Sequence, residues 1–140
     1  MTPEEILSYP AKILTQEQRE HYFKYCYVGI EDFIPSETLK LIKLVTKEFF
    51  EKSRGVTETN NVFDIGSGHC YESPVLRRLK SPDENHHEYW NFSKGLMAVV
   101  ASDLVGPDVT FHHSKLNFKW YDKSDTVKWY QDIQFFPHTN

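Results

Sequence analysis

Two stretches near the end of the chain, "VTFHHSKLNFKWY" (109–121) and "TVKWYQDIQFF" (126–136), restrict its fold more than any other feature. Both are rich in β-branched and aromatic residues, and the polar "DKSD" between them has the composition of a turn, so together they predict an antiparallel hairpin. Strand side chains alternate between faces, which puts His113, Lys115, Asn117 and Lys119 on one side of the first strand. His112, Ser114, Leu116, Phe118 and Trp120 take the other side. On the second strand Lys128, Tyr130, Asp132 and Gln134 point one way, and Val127, Trp129, Gln131, Ile133 and Phe135 the other. The polar face is open to two readings. It is either solvated surface or the lining of a β-cup for a small anion, with Lys115 or Lys119 supplying charge and Asn117 a hydrogen bond.

Upstream of the hairpin the pattern is mostly helical. "TQEQREHYFKYC" predicts a helix capped by Thr15, followed by a strand over "YVGIEDFI" (27–34). "PSETLKLIKLVTKEFFEKS" predicts a second helix with Ser36 as its cap and Leu39, Ile42, Val45 and Phe49 on one face. From Arg54 to Pro74, Gly, Asn, Thr and Ser without periodicity predict a long loop with one short strand around "NVFDI". Helices are then predicted over "SPVLRRLK" (73–80) and "EYWNFSKGLMAVVASDLVG" (88–106), the latter stopped by Gly106 and Pro107. With no repeat, linker or low-complexity run, the 140 residues predict one α+β domain, 1–140.

Composition removes several classes. A 39% hydrophobic and 26% charged chain has the make-up of a soluble globular protein. A net charge of -4 with scattered Lys and Arg argues against a nucleic-acid partner. No apolar run approaches the ~18 residues that span a bilayer, and the acidic "MTPEEILSYP" is unlike a signal peptide, so the expected location is cytoplasmic. Cys26 and Cys70 stand far apart, outside any Cys-x-x-Cys spacing, and are expected to be buried free thiols. The pairs His86-His87 and His112-His113 are not expected to chelate, because adjacent strand residues point to opposite faces, and "SPDENHHEYW" has the make-up of a solvated turn. His69, in "GSGHCYES", is expected to be a plain loop residue, since no phosphate-loop lysine follows.

The segment "GPDVTFHHSKLNFKWYDKSDTVKWYQDIQFFPHTN" resembles the core of the phytanoyl-CoA dioxygenase family, whose strand pair reads like "HHSKLNxKxPGxGxxVxWHQDxxFxPHTN". The resemblance implies an Fe(II)- and 2-oxoglutarate-dependent oxygenase built on a double-stranded β-helix, a jelly-roll or cupin-like cup with flanking N-terminal helices. It implies a metal held by two histidines and one carboxylate, the first two from a His-x-Asp pair. Asp132 matches that carboxylate, and Tyr130 stands where the histidine belongs. Lys115 and Asn117 match the strand that contacts 2-oxoglutarate. The family's distal histidine and its carboxylate-gripping arginine lie downstream of "PHTN", so the resemblance implies a truncated, N-terminal form with about three or four of roughly eight strands.

The activity implied is decarboxylation of 2-oxoglutarate coupled to hydroxylation of a small organic substrate, impaired here by the ligand set. Exposed strand edges imply a homo-oligomer or a complementing chain that supplies the missing strands. The alternative is a non-catalytic binding or assembly module, or a gene fragment, derived from the same fold.

Overall fold

The computed structural model describes residues 1–120; the second predicted strand, with Tyr130 and Asp132, lies outside them. The described chain runs through α1 (Pro3–Ser8), α2 (Gln16–Tyr25), α3 (Ser36–Ser53), β1 (Phe63–Ile65), β2 (Leu76–Lys80), α4 (Pro82–Asn85), α5 (His87–Phe92), a π-helical turn (Ser93–Met97), α6 (Ala98–Val105) and β3 (Lys115–Asn117). Helices and a small antiparallel sheet of order β1-β2-β3 make the architecture α+β. No helix among the described residues is long and apolar enough to cross a membrane.

"SPVLRRLK" is the central strand and not the predicted helix. Leu76 and Leu79 are both fully buried although three positions apart, a spacing that normally sends strand side chains to opposite faces. A bulge reconciles the two. β2 pairs with β1 through Phe63↔Leu79, Asp64↔Arg78 and Ile65↔Leu76, so Arg77 is an extra residue with no partner position on β1. The spacing that imitates a helix face is the signature of that bulge. On the other side, β3 joins β2 in the register Arg78↔Asn117, Leu79↔Leu116 and Lys80↔Lys115.

The leucine face is closed by helices. Val45 and Phe49 of α3 and Tyr89 of α5 pack with Leu79, ringed by Ile42, Val62, Phe63, Leu116 and Phe118. Burying each large side chain contributes about 2 kcal/mol. Thr46 and Tyr89 hydroxyls hydrogen-bond across the two helices, and burial pushes the Tyr89 phenol up against the opposing pull of that bond. Leu39, predicted on the same face of α3, stays exposed. Pro35, its φ held at −53°, takes the N-cap position predicted for Ser36, without a side-chain cap bond. The predicted strand over 27–34 does not form, because a turn at Glu31 and Asp32, with Asp32 at φ 49°, interrupts the run. The predicted helix 88–106 is broken at Gly95, whose ψ of −123° leaves the helical region.

A buried carboxylate and guanidinium attach the N-terminal helices to α6. Thr2 with Glu5 and Thr15 with Gln18 form capping boxes that start α1 and α2. Between these helices, the N–H groups of Lys12, Ile13 and Leu14 donate to the Asp103 carboxylate at 2.8–3.1 Å. Arg19, 1% exposed, donates to the carbonyls of Asp103, Tyr9 and Ile6 and to Gln16 Oε1. Burial raises the Asp103 pKa, but the three backbone donors and the nearby Arg19 outweigh it and hold the carboxyl below its ordinary value.

A second strut sets the entry to β2. Val75 N–H donates to His69 Nδ1 at 2.8 Å, so Nε2 carries the ring proton and donates to the Ser53 carbonyl at 3.0 Å. His69 is a loop residue, as expected, and it also ties the end of α3 to Val75, the residue just before the central strand.

Because the Asp103 carboxyl is depressed in the fold, its stabilisation is complete above the unfolded value of about 4 and is lost as pH falls through the lowered folded value. Asp103→Ala is expected to cost about 3 kcal/mol at neutral pH and to flatten the acid limb, measured by thermal melts between about pH 2 and 7. His69→Ala is expected to cost about 1–3 kcal/mol by the same measurement, since it leaves the Ser53 carbonyl and the Val75 N–H without their partner.

Candidate functional site

Cross-strand register decides what the outer face of the sheet presents. Partners directly opposite on an antiparallel pair point the same way, so Lys115 stands beside Lys80, and Asn117 beside Arg78. Leu116 and Phe118 turn inward to the core, which leaves Lys115, Asn117 and Lys119 exposed. The alternation predicted for this stretch therefore holds over residues 115–119, although regular strand is confined to Lys115–Asn117.

Three contacts shape the electrostatics of this face. Arg78 Nε–H donates to Asn117 Oδ1 at 3.1 Å. Lys80 Nζ donates to the Asn60 carbonyl at 2.8 Å. Asp64, opposite Arg78 on β1, makes an ion pair of 4.0 Å with Arg77. Among the described residues the cations outnumber that carboxylate, so they present a positive face where β2 meets β3. Chemically, such a face can accept a carboxylate or another small oxyanion through one ammonium, one amide and one guanidinium.

Of the sequence-predicted site residues, the structure brings Lys115 and Asn117 onto one exposed face. Arg78 and Lys80, their cross-strand partners, escaped sequence reasoning because their segment has helical spacing. The signal that could have found them is the pair of basic residues flanked by leucines three apart, the pattern of a bulged strand. Tyr130 and Asp132 lie outside the described residues. Among the described residues, no group of three or more His, Cys, Asp or Glu could hold a metal ion.

The other candidates settle into structural roles, some of them different from those expected. His112 and His113 precede β3, and their rings meet edge to face at 4.6 Å with the Nδ1 atoms in hydrogen-bond contact, so they do not point apart as strand neighbours would. His86 is half-buried: it caps α5 by accepting the Glu88 N–H at 3.2 Å and stacks on His87 with ring centres 4.8 Å apart. Cys26 and Cys70 are exposed, not buried; Cys26 sits at the left-handed end of α2 with φ 63°. A shallow apolar cavity beside Tyr9 and Pro107 borders Arg19 and Asp103, whose polar groups are already engaged by the chain itself.

The sequence is 28% identical over 129 residues to a protein of Stutzerimonas stutzeri named "Probable alpha-ketoglutarate-dependent hypophosphite dioxygenase". The aligned part is 89% of this chain and 43% of that protein, so the chain spans less than half the length of this relative. α-Ketoglutarate, in the name of that relative, is 2-oxoglutarate. No family model matches the sequence. No solved structure matches it either.

Proposed function

We propose that this chain is the N-terminal portion of a 2-oxoglutarate-dependent dioxygenase of the phytanoyl-CoA dioxygenase type, a single domain that receives the cosubstrate on the outer face of β2 and β3. The observation that carries this reading is that Lys115 and Asn117, which match the family's cosubstrate strand, stand on one exposed cationic face with Arg78 and Lys80. Similarity over 129 residues to a protein named as an α-ketoglutarate-dependent dioxygenase supports the same reading.

2-Oxoglutarate is a dianion. On this face the Lys115 ammonium acts as a point charge, while the Asn117 amide directs an N–H toward one carboxylate oxygen. These groups bind and orient the cosubstrate and give up water to it. When bound, 2-oxoglutarate supplies the electrons for oxygen activation by its own decarboxylation. The substrate in this reading is a small molecule; the relative is named for hypophosphite. Strands beyond the described sheet complete the jelly-roll cup along the sheet edges. Two free, exposed cysteines fit a reducing, cytoplasmic setting.

The iron-ligand positions do not fit a complete centre. Imidazole is a neutral ligand suited to Fe(II), whereas a phenol, the group that Tyr130 carries at that position, must lose its proton to ligate well. Of the His-x-Asp pair, Asp132 matches and Tyr130 does not. The role of Lys115 and Asn117 in this reading is to bind and orient the dianion. That mismatch favours a second reading, a non-catalytic binding or assembly module that retains the fold.

Anaerobic Fe(II) titration in the presence of 2-oxoglutarate separates the two, followed by the weak visible charge-transfer band of the chelate. The unaltered chain is expected to show no band and Tyr130→His to develop one, because an imidazole then stands two positions from Asp132. If neither protein develops it, the dioxygenase reading of this chain falls and the binding module remains.

A further inference from the structure

We propose that Arg78 is a second carboxylate-binding residue of the cationic face and the residue that positions Asn117 for the cosubstrate. The inference rests on the cosubstrate reading of Lys115 and Asn117 and adds a residue that the family resemblance does not supply. In that resemblance the guanidinium gripping 2-oxoglutarate comes from far downstream; here one stands on the neighbouring strand.

Four observations carry it. Arg78 Nε–H engages Asn117 Oδ1 at 3.1 Å, which occupies the amide oxygen and turns the amide NH₂ outward as the donor. Beyond that bond, the two terminal nitrogens of Arg78 have no partner among the described residues, so a parallel pair of N–H donors remains for a carboxylate. Asp64, the carboxylate across from Arg78 on β1, makes its ion pair with Arg77 at 4.0 Å. Finally, Lys80 and Lys115 are direct cross-strand neighbours. Like charges in that relation destabilise a sheet, and a bound anion removes the repulsion. Lys80 Nζ is held by the Asn60 carbonyl, so Lys115, Asn117 and Arg78 are the groups left to converge on one carboxylate.

The fork recognises a planar carboxylate and a dicarboxylate better than a tetrahedral anion, since an amide N–H and a guanidinium edge lie side by side. The other carboxylate of the ligand is then free to reach toward residues beyond β3.

The test is ¹⁵N–¹H correlation NMR of the full chain, without metal, titrated with 2-oxoglutarate and separately with sulfate. The unaltered chain is expected to respond at the Asn117 side-chain NH₂ and at Lys115, more strongly to 2-oxoglutarate than to sulfate. Arg78→Gln is expected to bind about tenfold to a hundredfold more weakly, the loss of a charge-assisted fork. Arg78→Lys keeps the charge but not the Nε–H bond, so the Asn117 NH₂ resonances are expected to shift before any ligand is added. Unmoved Leu79 and Leu116 amides report that the sheet is intact in both variants. Unchanged affinity in Arg78→Gln overturns this inference and leaves the cosubstrate reading standing. No response to 2-oxoglutarate at Lys115 and Asn117 in the unaltered chain overturns both, and an equal response to sulfate overturns the assignment to a carboxylate.

Discussion

The rest of the described structure depends on the bulge at Arg77. Without the extra residue, alternation would bury one of Leu76 and Leu79 and expose the other, and the core under α3 would lose a side chain that is now fully buried. With it, both leucines are buried, Leu79 against Val45 and Phe49, while Arg77 and Arg78 stay at least partly exposed. One irregular position thus separates an apolar layer from a cationic one. The His69 strut, from the end of α3 to Val75, fixes where that strand begins, and so where the cationic layer ends up.

Two guanidiniums in this chain behave in opposite ways, and the difference follows from burial. Arg19 is almost wholly buried and every direction of its fork meets a carbonyl or amide oxygen, as a charge removed from water requires. Asp103 is served in the same manner by consecutive backbone N–H groups. That cluster is closed and holds the N-terminal helices to α6. Arg78 is only half-buried, spends one donor on Asn117 and keeps the others at the surface. Unspent donors on a fixed strand are what a binding face is made of, which is why the functional reading settles on the sheet and not on the better-buried ion cluster.

The chemistry of positions 130 and 132 divides the reading of function along the same line. In the proposed reading Asp132 matches the carboxylate of a His-x-Asp pair, and Tyr130 stands in place of its neutral imidazole. Lys115 and Asn117 require no metal to attract an anion, so in the proposed reading anion binding does not depend on the metal-ligand positions.

The sequence by itself determined α2, α3 and the polar stripe. α3 was legible because Ile42, Val45 and Phe49 recur at helical spacing, and Gly106 marked the end of α6 because only a residue without Cβ takes φ 111° cheaply. Lys115 and Asn117 were legible as one face because a period of two needs no partner to be read. Tertiary structure alone decided the identity of 76–80 as a strand, the outward turn of Arg78, and its bond to Asn117, 39 residues away in sequence. Leucines three apart fit a helix or a bulged strand equally well in isolation. The choice falls to backbone hydrogen bonds with β1 and β3, and the residues that make them are distant along the chain.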